Sequence, residues 1–277
     1  KNGKLLAQKF VYDKNFRGGV LLELADTDGD GTKEIIVAAK DRGEPVVKIY
    51  RYANRKLTLV RKFTAFTKSF RGGLRLIAGD LNGDGKDEII ITSIRGIPQM
   101  YVFNGSGRKI SQKMLGDKNS RSGLEIKIAD VNGDGKQDLI IVPQAGQAPT
   151  VRVLDYKYKQ LAKFNAFGAN IRTGLQVAVG NVDNDSAKEI IIVPRKGAGS
   201  QIKVFSANGK KLEKAFFAYT KVFRGGVNLA VSDLDADGVA EIIIAPESGG
   251  GPNVKVFNAA GKKAKVKKSF NSHKKTF

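Results

Sequence analysis

The sequence contains no cysteine and no tryptophan, and its single histidine is His273. Without cysteine, disulfides, thiol catalysis and zinc–thiolate sites are excluded. Because the one histidine lies in a basic terminal segment, a Ser–His–Asp triad is not expected. No Gly-Lys-Ser/Thr phosphate-binding motif is present, and no pair of carboxylates stands out as a glycosidase pair. These absences predict a protein that is not an enzyme.

Acidic residues and long apolar runs are also scarce. Lys and Arg total 48 against 27 Asp and Glu, which gives a net charge of +21. A field of that sign attracts acidic glycan, anionic lipid or nucleic acid, and the case for nucleic acid rests on charge alone. No apolar run approaches the roughly 18 residues of a membrane span. No signal peptide opens the chain, which indicates a mature product, an excised domain or a cytosolic protein.

One acidic phrase of nine residues recurs five times along the chain. Its clearest copy is Asp80 to Glu88, which reads DLNGDGKDE and is followed by Ile89-Ile90-Ile91. The copies begin at positions 26, 80, 130, 181 and 233, so the steps are 54, 50, 51 and 52 residues. A nearly constant period of this size is the signature of a repeat protein whose units are too small to fold alone.

Each repeat predicts four short strands. An alternating stretch enters the acidic loop, as in 73–79, and a continuous apolar run leaves it, as in 139–142. A Gly/Pro-rich turn, a second alternating stretch such as 254–257 and a more polar stretch such as 211–216 follow. With no helical pattern in any repeat, we predict an all-β fold. It is a five-bladed β-propeller of four-stranded antiparallel blades, with one calcium-binding loop per blade.

The predicted blades span about 16–69, 70–119, 120–170, 171–222 and 223–277 of one propeller domain, 1–277. Residues 2–10 resemble a fourth strand that lacks the three before it, and residues 261–277 resemble another. Ring closure needs only one of them. We expect the strand within residues 1–15 to complete the last blade; the alternative is that the chain is a slice of a longer array.

The acidic loops predict up to five calcium sites. Oxygen-bearing side chains stand at positions one, three, five and nine, and the carbonyl of position seven can add a ligand to the six to eight oxygens that Ca²⁺ takes. Glycine at position four or six allows the sharp turn. The predicted ligands are Asp26, Asp28, Asp30, Thr32 and Glu34; Asp80, Asn82, Asp84, Lys86 and Glu88; Asp130, Asn132, Asp134, Lys136 and Asp138; Asn181, Asp183, Asp185, Ala187 and Glu189; Asp233, Asp235, Asp237, Val239 and Glu241.

The fourth loop departs most from this pattern. Asn181 replaces the leading carboxylate and Ser186 replaces a glycine, so we expect this site to bind calcium most weakly or to stay empty. The alternative for all five loops is a set of polar hairpin turns that are held by Asx hydrogen bonds and need no metal.

The chain resembles the FG-GAP (VCBS-type) repeats at this point. The resemblance is carried by Phe70-Arg71-Gly72-Gly73, by the acidic loop that follows, by Val/Ala-Pro pairs such as Val142-Pro143, and by residues 249–257. It implies calcium-binding propeller blades, which are known from integrin α-chain heads and from secreted bacterial proteins. It also implies an extracellular or cell-surface binding or adhesion role, although five predicted blades differ from the seven of integrins.

An arginine stands nine residues before every acidic loop. These residues are Arg17, Arg71, Arg121, Arg172 and Arg224. Because each lies where the first strand begins, they are predicted at the end of the blade opposite the calcium loops, where they could bind carboxylated or phosphorylated groups. The alternative is that each packs on a nearby apolar side chain, such as Phe16, Phe70 or Phe223, and pairs with a backbone carbonyl.

The leading functional hypothesis is therefore a non-enzymatic, calcium-binding interaction or adhesion module outside the cell. Its partner is expected to be an anionic glycan or an acidic protein surface, bound on the face opposite the calcium loops. A lectin-like propeller with repeated sugar sites is the alternative from a second class. A calcium-dependent polysaccharide lyase or hydrolase is the third, and it would need a unique constellation in one blade.

Overall fold

The structure is a computed structural model that describes residues 3–116, 122–183, 185–212 and 215–258, together with the backbone of 265–271. All regular structure in these ranges is β-strand. No helix in them is long and apolar enough to cross a membrane.

Twenty strands form five four-stranded antiparallel sheets, each with its strands in chain order. Their bounds are β1 Val20–Ala25, β2 Glu34–Ala39, β3 Val46–Ala53, β4 Lys56–Thr64; β5 Leu74–Gly79, β6 Glu88–Ser93, β7 Gln99–Phe103, β8 Lys109–Met114; β9 Leu124–Ala129, β10 Asp138–Pro143, β11 Thr150–Leu154, β12 Gln160–Asn165; β13 Leu175–Gly180, β14 Glu189–Pro194, β15 Gln201–Phe205, β16 Phe216–Phe217; β17 Val227–Ser232, β18 Glu241–Pro246, β19 Asn253–Asn258, β20 Lys265–Asn271. The prediction of an all-β chain built from five such sheets is confirmed.

The register places every acidic loop between the first and second strands of its sheet. Residue Ala25 pairs with Glu34 in the first sheet, and Gly79 pairs with Glu88 in the second. Position nine of each acidic phrase is therefore the first residue of the second strand, and positions one to eight form the connection.

The second strands are the most buried elements, as their continuous apolar runs predicted. All six residues of β6, β10 and β14 are buried. Side chains from neighbouring sheets pack between them: Leu74, Ile89 and Ile91 with Ile36 and Val47, for example, form one apolar cluster. The side chains of these strands are therefore buried between neighbouring sheets. In a repeat protein the hydrophobic core is formed by such contacts between adjacent repeats.

The chain divides into two compact units, residues 1–124 and 125–277. The first contains the sheets of β1–β4 and β5–β8, with one apolar cluster between them. The second contains the remaining three sheets, apart from Leu124, with two apolar clusters.

Two predicted details of the strand plan differ from the structure. The last sheet is completed by β20, which pairs with β19 from Asn253↔Asn271 to Asn258↔Lys265. The prediction that residues 1–15 complete the last blade is wrong in this respect, because the C-terminal segment fills that edge and residues 3–15 form no strand. The fourth strand of the fourth sheet is also shorter than predicted, with β16 limited to Phe216–Phe217 and residues 213–214 outside the described ranges.

Candidate metal centre

A buried carboxylate stands at the base of every acidic loop. These side chains are Glu34, Glu88, Asp138, Glu189 and Glu241, and none is more than 5% exposed. Each accepts a hydrogen bond from the backbone N–H of loop position two, over 2.8–3.1 Å. Burying an ionised carboxylate is costly unless it is paired, and this N–H compensates only part of the charge of each side chain.

The leading aspartate of the loop organises the turn above that carboxylate. In the second loop, Asp80 Oδ1 accepts from the N–H of Gly83 at 2.7 Å and Asp80 Oδ2 from that of Gly85 at 2.8 Å. Asp26 and Asp130 make the same contacts. Gly85 has φ +81°, a left-handed conformation that glycine adopts without cost. These are the Asx contacts of a metal-free turn, and they fix the side chain of the leading aspartate within its loop.

The side chain of the aspartate at loop position five accepts a hydrogen bond from the backbone N–H of position seven. Position seven is the residue whose carbonyl was predicted as a ligand. Asp84 Oδ1 accepts from the N–H of Lys86 at 2.9 Å, and Asp134 Oδ1 accepts from that of Lys136 at 2.9 Å. The same pair is formed by Asp30 with Thr32, Asp185 with Ala187 and Asp237 with Val239. Positions five and seven are thus held together in every loop.

The third loop tests most directly whether these residues fit a cation. Asp138 Oδ1 is buried and has no hydrogen-bond partner among the described residues. Burial raises the pKa of Asp138 to about 6, and the charges of Asp134 and Asp130 contribute to the rise. A buried carboxylate oxygen that faces other carboxylates without a donor is the condition that Ca²⁺ relieves, since hard cations bind oxygen ligands.

The second and fourth loops show the same electrostatic strain. Burial raises the pKa of Glu88 to about 7 and that of Glu189 to about 7, with neighbouring aspartates adding to both effects. Carboxylate oxygens converge to within 4.8 Å in three of the loops. These groups are Asp26, Asp28 and Glu34; Asp183, Asp185 and Glu189; Asp233, Asp235 and Glu241. The donor sets of the acidic loops therefore fit a cation that binds oxygen ligands.

The fourth loop differs at its first position, as its sequence predicted. The Asn181 side chain acts as a donor, with Nδ2 donating to the carbonyl of Asp185 at 2.7 Å, whereas Asp80 accepts from the N–H groups of its loop. An amide in this place supplies no charge to the site, which supports the expectation that this loop binds most weakly.

The first loop contains a cation of the protein's own, which the sequence reasoning missed. Arg51 Nη2 lies 2.5 Å from Asp28 Oδ2 and 2.8 Å from Glu34 Oε1. It is also 3.4 Å from Asp30 Oδ2. A comparison of the repeats could have indicated this contact. Arg51 is a cation at a position where the other four repeats have an uncharged or acidic residue, namely Asn104, Asp155, Ser206 and Asn258.

The predicted arginine set lies at the opposite end of the sheets, before the first strand of each repeat. Arg17, Arg71, Arg172 and Arg224 are exposed, and Arg121 lies outside the described residues. Nη1 of Arg71 donates to the carbonyls of Lys68 and Phe70 at 2.5 and 2.9 Å. Arg17 and Arg224 make the equivalent pairs of contacts. Contacts with backbone carbonyls were the alternative to anion binding for these arginines. Anion binding by this set stays a prediction.

A cavity of about 640 Å³ opens at that end of the first two sheets. Its wall combines the cationic side chains of Arg42, Lys48, Lys62 and Arg71 with the ring of Tyr12. Lys48 Nζ lies 4.5 Å from the centroid of that ring. Asp13 and Glu44 are the acidic residues in the lining, so cationic groups outnumber acidic ones.

Comparison with known families gives one match. Residues 26–91 and 80–141 match the FG-GAP-like repeat. Each matched segment contains two consecutive acidic loops and the strands between them. No protein of curated function matches the sequence significantly.

Several solved structures have a similar fold at low sequence identity. A rhamnogalacturonan lyase from Bacillus licheniformis is 20% identical with a TM-score of 0.58 and covers 88% of this chain. The V. cholerae biofilm matrix protein Bap1 is 19% identical with a TM-score of 0.57 and covers 97%. The Dos1 propeller is 14% identical with a TM-score of 0.60 and covers 91%.

This chain accounts for 49%, 42% and 59% of those three longer chains, respectively. At such identities the likeness concerns the fold alone. The family match over residues 26–141, the recurring acidic loops and these neighbours are together consistent with a propeller of FG-GAP-like repeats.

Proposed function

We propose that the chain is a non-enzymatic, calcium-binding, five-bladed propeller that acts outside the cell as an interaction or adhesion module. Its calcium ions are structural in this proposal. They neutralise the buried carboxylates and fix the connection between the first two strands of each blade, so that their binding free energy adds to the stability of the fold. The partner is an anionic glycan or an acidic protein surface, bound away from the calcium loops.

The observation that carries the proposal is the cavity beside Arg42, Lys62 and Arg71. It lies where β2 ends and β3 begins, so it is at the opposite end of the sheet from the acidic loop. The three side chains are exposed. Guanidinium groups bind carboxylates through paired hydrogen bonds.

Asp41, one of the two acidic residues on the turn beside the cavity, already has a cationic partner, and the other, Glu44, belongs to the cavity lining. Arg95 Nη2 lies 2.5 Å from Asp41 Oδ1, and that contact lowers the pKa of Asp41. An incoming carboxylate therefore meets the cations of the cavity beside an aspartate whose charge is compensated.

Binding to polygalacturonate tests the proposal. A variant with Arg42→Gln, Lys62→Gln and Arg71→Gln should lose at least about tenfold in affinity, because hydrogen bonds to charged groups are the stronger class. The matched control is Lys33→Gln, Lys56→Gln and Arg108→Gln, which removes the same charge from exposed positions at the acidic-loop end of the same two sheets. Equal loss in both variants would mean attraction by net charge alone and would refute a site at the cavity.

The same experiment separates the other two candidate functions. A lyase is favoured by the rhamnogalacturonan lyase among the structural neighbours, and it would shorten the polymer and release unsaturated products that absorb ultraviolet light. A lectin-like propeller would bind a neutral polysaccharide such as dextran as well as the acidic one, with little dependence on salt. Binding of polygalacturonate without cleavage, weakened by salt, supports the interaction module.

A further inference from the structure

The guanidinium of Arg51 occupies the carboxylate cluster of the first loop. Besides the contacts of Nη2, Arg51 Nε donates to Glu34 Oε1 at 3.2 Å, so two of its nitrogens bind the same buried oxygen. Glu34 is 1% exposed and Arg51 is 37% exposed at the side chain. The buried charge of the first loop is thus compensated from within the chain.

The register explains why only the first repeat can do this. Ile35 pairs with Tyr50, so Arg51 is the residue directly across from Glu34. The corresponding pairs place Asn104 across from Glu88, Asp155 from Asp138, Ser206 from Glu189 and Asn258 from Glu241. None of these four residues is a cation.

The hairpin that follows the third strand also differs in the first repeat. In the second repeat, Asn104 follows the last residue of β7, and its Oδ1 accepts from the N–H of Arg108, so its side chain belongs to its own turn. In the first repeat β3 continues to Ala53 and turns through Asn54 and Arg55, which have φ of +50° and +59°. Arg51 therefore stays in the ladder, and its side chain is free to reach the loop.

A guanidinium and a calcium ion cannot share these oxygens. Calcium binds oxygen at about 2.3–2.6 Å, and Arg51 Nη2 already lies at contact with oxygens of Asp28 and Glu34. An ion entering this loop would have to expel a cation that is bound by several carboxylates, and the like charges would repel.

We propose that Arg51 is the resident cation of the first acidic loop, which therefore folds without calcium and does not bind it. The proposal rests on the calcium set described above and restricts it to the loops that begin at Asp80, Asp130, Asn181 and Asp233. The first loop is then a calcium-independent element within a calcium-dependent repeat array.

Hydrogen exchange of two loops in the same sample tests this directly. Amide protection is measured for peptides covering residues 26–34 and 80–88, in calcium and in chelator. In the unmodified chain, residues 80–88 should gain protection with calcium and residues 26–34 should not change. A gain of equal size in both loops would overturn the proposal.

The variant Arg51→Asn introduces the residue found at the equivalent place in the second and fifth repeats. In chelator it should lower protection of residues 26–34 by about tenfold or more, because a buried carboxylate loses its partner, and leave residues 80–88 unchanged. In calcium, protection of residues 26–34 should return, and native mass spectrometry should count one more ion per chain. Arg55→Asn is the matched control, since it removes the same charge from the exposed turn of the same hairpin.

The hydrogen-exchange measurements in chelator test the role of Arg51 independently of the calcium proposal. If no loop responds to calcium, the calcium proposal fails, and Arg51 is still judged by whether its substitution loosens residues 26–34 in chelator. If Arg51→Asn neither loosens that loop in chelator nor adds an ion in calcium, the role of Arg51 is refuted. Arg51→Lys provides a second variant that keeps the charge, and it should preserve the calcium independence of the loop.

Discussion

At the scale of single residues, the five buried carboxylates decide how the repeats respond to their surroundings. Each stands at the first position of a second strand, where the neighbouring strands exclude water, and each accepts a backbone N–H from its own loop. In the first repeat an arginine supplies the missing positive charge. In the other repeats we expect the charge to come from a bound cation, or the carboxylate to take up a proton.

The raised pKa values of Glu88, Asp138 and Glu189 predict an unusual pH dependence for the chelated protein. A carboxyl group whose pKa is higher in the folded state than in the unfolded state favours folding while protonated and opposes it once ionised. The unfolded values are close to 4.5 for Glu and 3.8 for Asp, and the folded values are about 7, 6 and 7. Stability in chelator should therefore fall as pH rises from about 4 to about 7 and level off above.

Thermal unfolding in chelator across that range measures the effect. We expect the Tm to drop by roughly 5 °C or more, given the size of the shifts and the usual dependence of Tm on stability. A variant with Glu88→Gln and Glu189→Gln should lose most of the drop, because an amide does not ionise. In saturating calcium the drop should disappear, since the ion binds the ionised form. A Tm in chelator that rises over this interval would contradict the assignment.

At the scale of the element, the turn between the second and third strands controls which residues can precede the first strand. The Phe-Arg-Gly-Gly sequence occurs in three repeats, at Phe16, Phe70 and Phe223. A Cβ on Gly72 would lie 2.2 Å from the carbonyl oxygen of Arg95 and 2.6 Å from Cζ of Phe70. The phenylalanine ring and the turn thus require a residue without a side chain. The third and fourth repeats lack this phenylalanine and carry Ser122 and Thr173 instead of the glycine.

Substitution of Gly72 by alanine should therefore destabilise the chain by roughly 2 kcal/mol or more, because backbone has to move to admit the methyl group. The matched control is Gly251→Ala, where nothing lies within 4 Å of the added Cβ, and its effect should stay within about 0.5 kcal/mol. Urea unfolding in calcium compares the two variants. Equal stabilities would show that the turn yields to the new side chain and that the glycine has no steric role.

Most of the strand plan could be predicted from the sequence because its signals are local. The alternation of 254–257 and the run 139–142 became β19 and β10, and both depend only on which side chains face apolar layers. The contact between Arg51 and Glu34 could not be read from either segment alone, since it depends on cross-strand register and on the length of one hairpin. The last strand was assigned to the wrong terminus for a related reason: residues 2–10 and 261–277 have similar patterns, and the pattern does not state which edge each one fills.

At the scale of the whole molecule, the repeats share one scheme in which apolar layers hold the sheets and the acidic loops hold the strand connections. The apolar clusters are built mainly from second strands and their neighbours, and each cluster receives side chains from adjacent sheets. In such an array stability is close to a sum of repeat and interface contributions. A cation in each acidic loop would therefore add to global stability, and its removal should weaken the chain as a whole.

The net charge of +21 opposes the binding of further cations by the acidic loops. Bound calcium adds positive charge to a chain that already repels itself. The local carboxylates have to outweigh that repulsion, which they can do because ligand atoms are adjacent to the ion, whereas the interaction with more distant exposed charges is screened by salt. The same excess of lysine and arginine remains available at the other end of the sheets, where the cavity beside Arg71 is lined by cations.

The measurement that tests the central claim most directly is thermal unfolding in calcium and in excess chelator, with bound ions counted by native mass spectrometry. The account predicts four calcium ions per chain, the one in the loop at Asn181 being lost first, and a fall in Tm of roughly 10 °C or more on chelation. Five ions would contradict the role given to Arg51 and leave the calcium scheme intact. No bound ion and an unchanged Tm would contradict the scheme itself, and the acidic loops would then be polar turns held by their Asx hydrogen bonds alone.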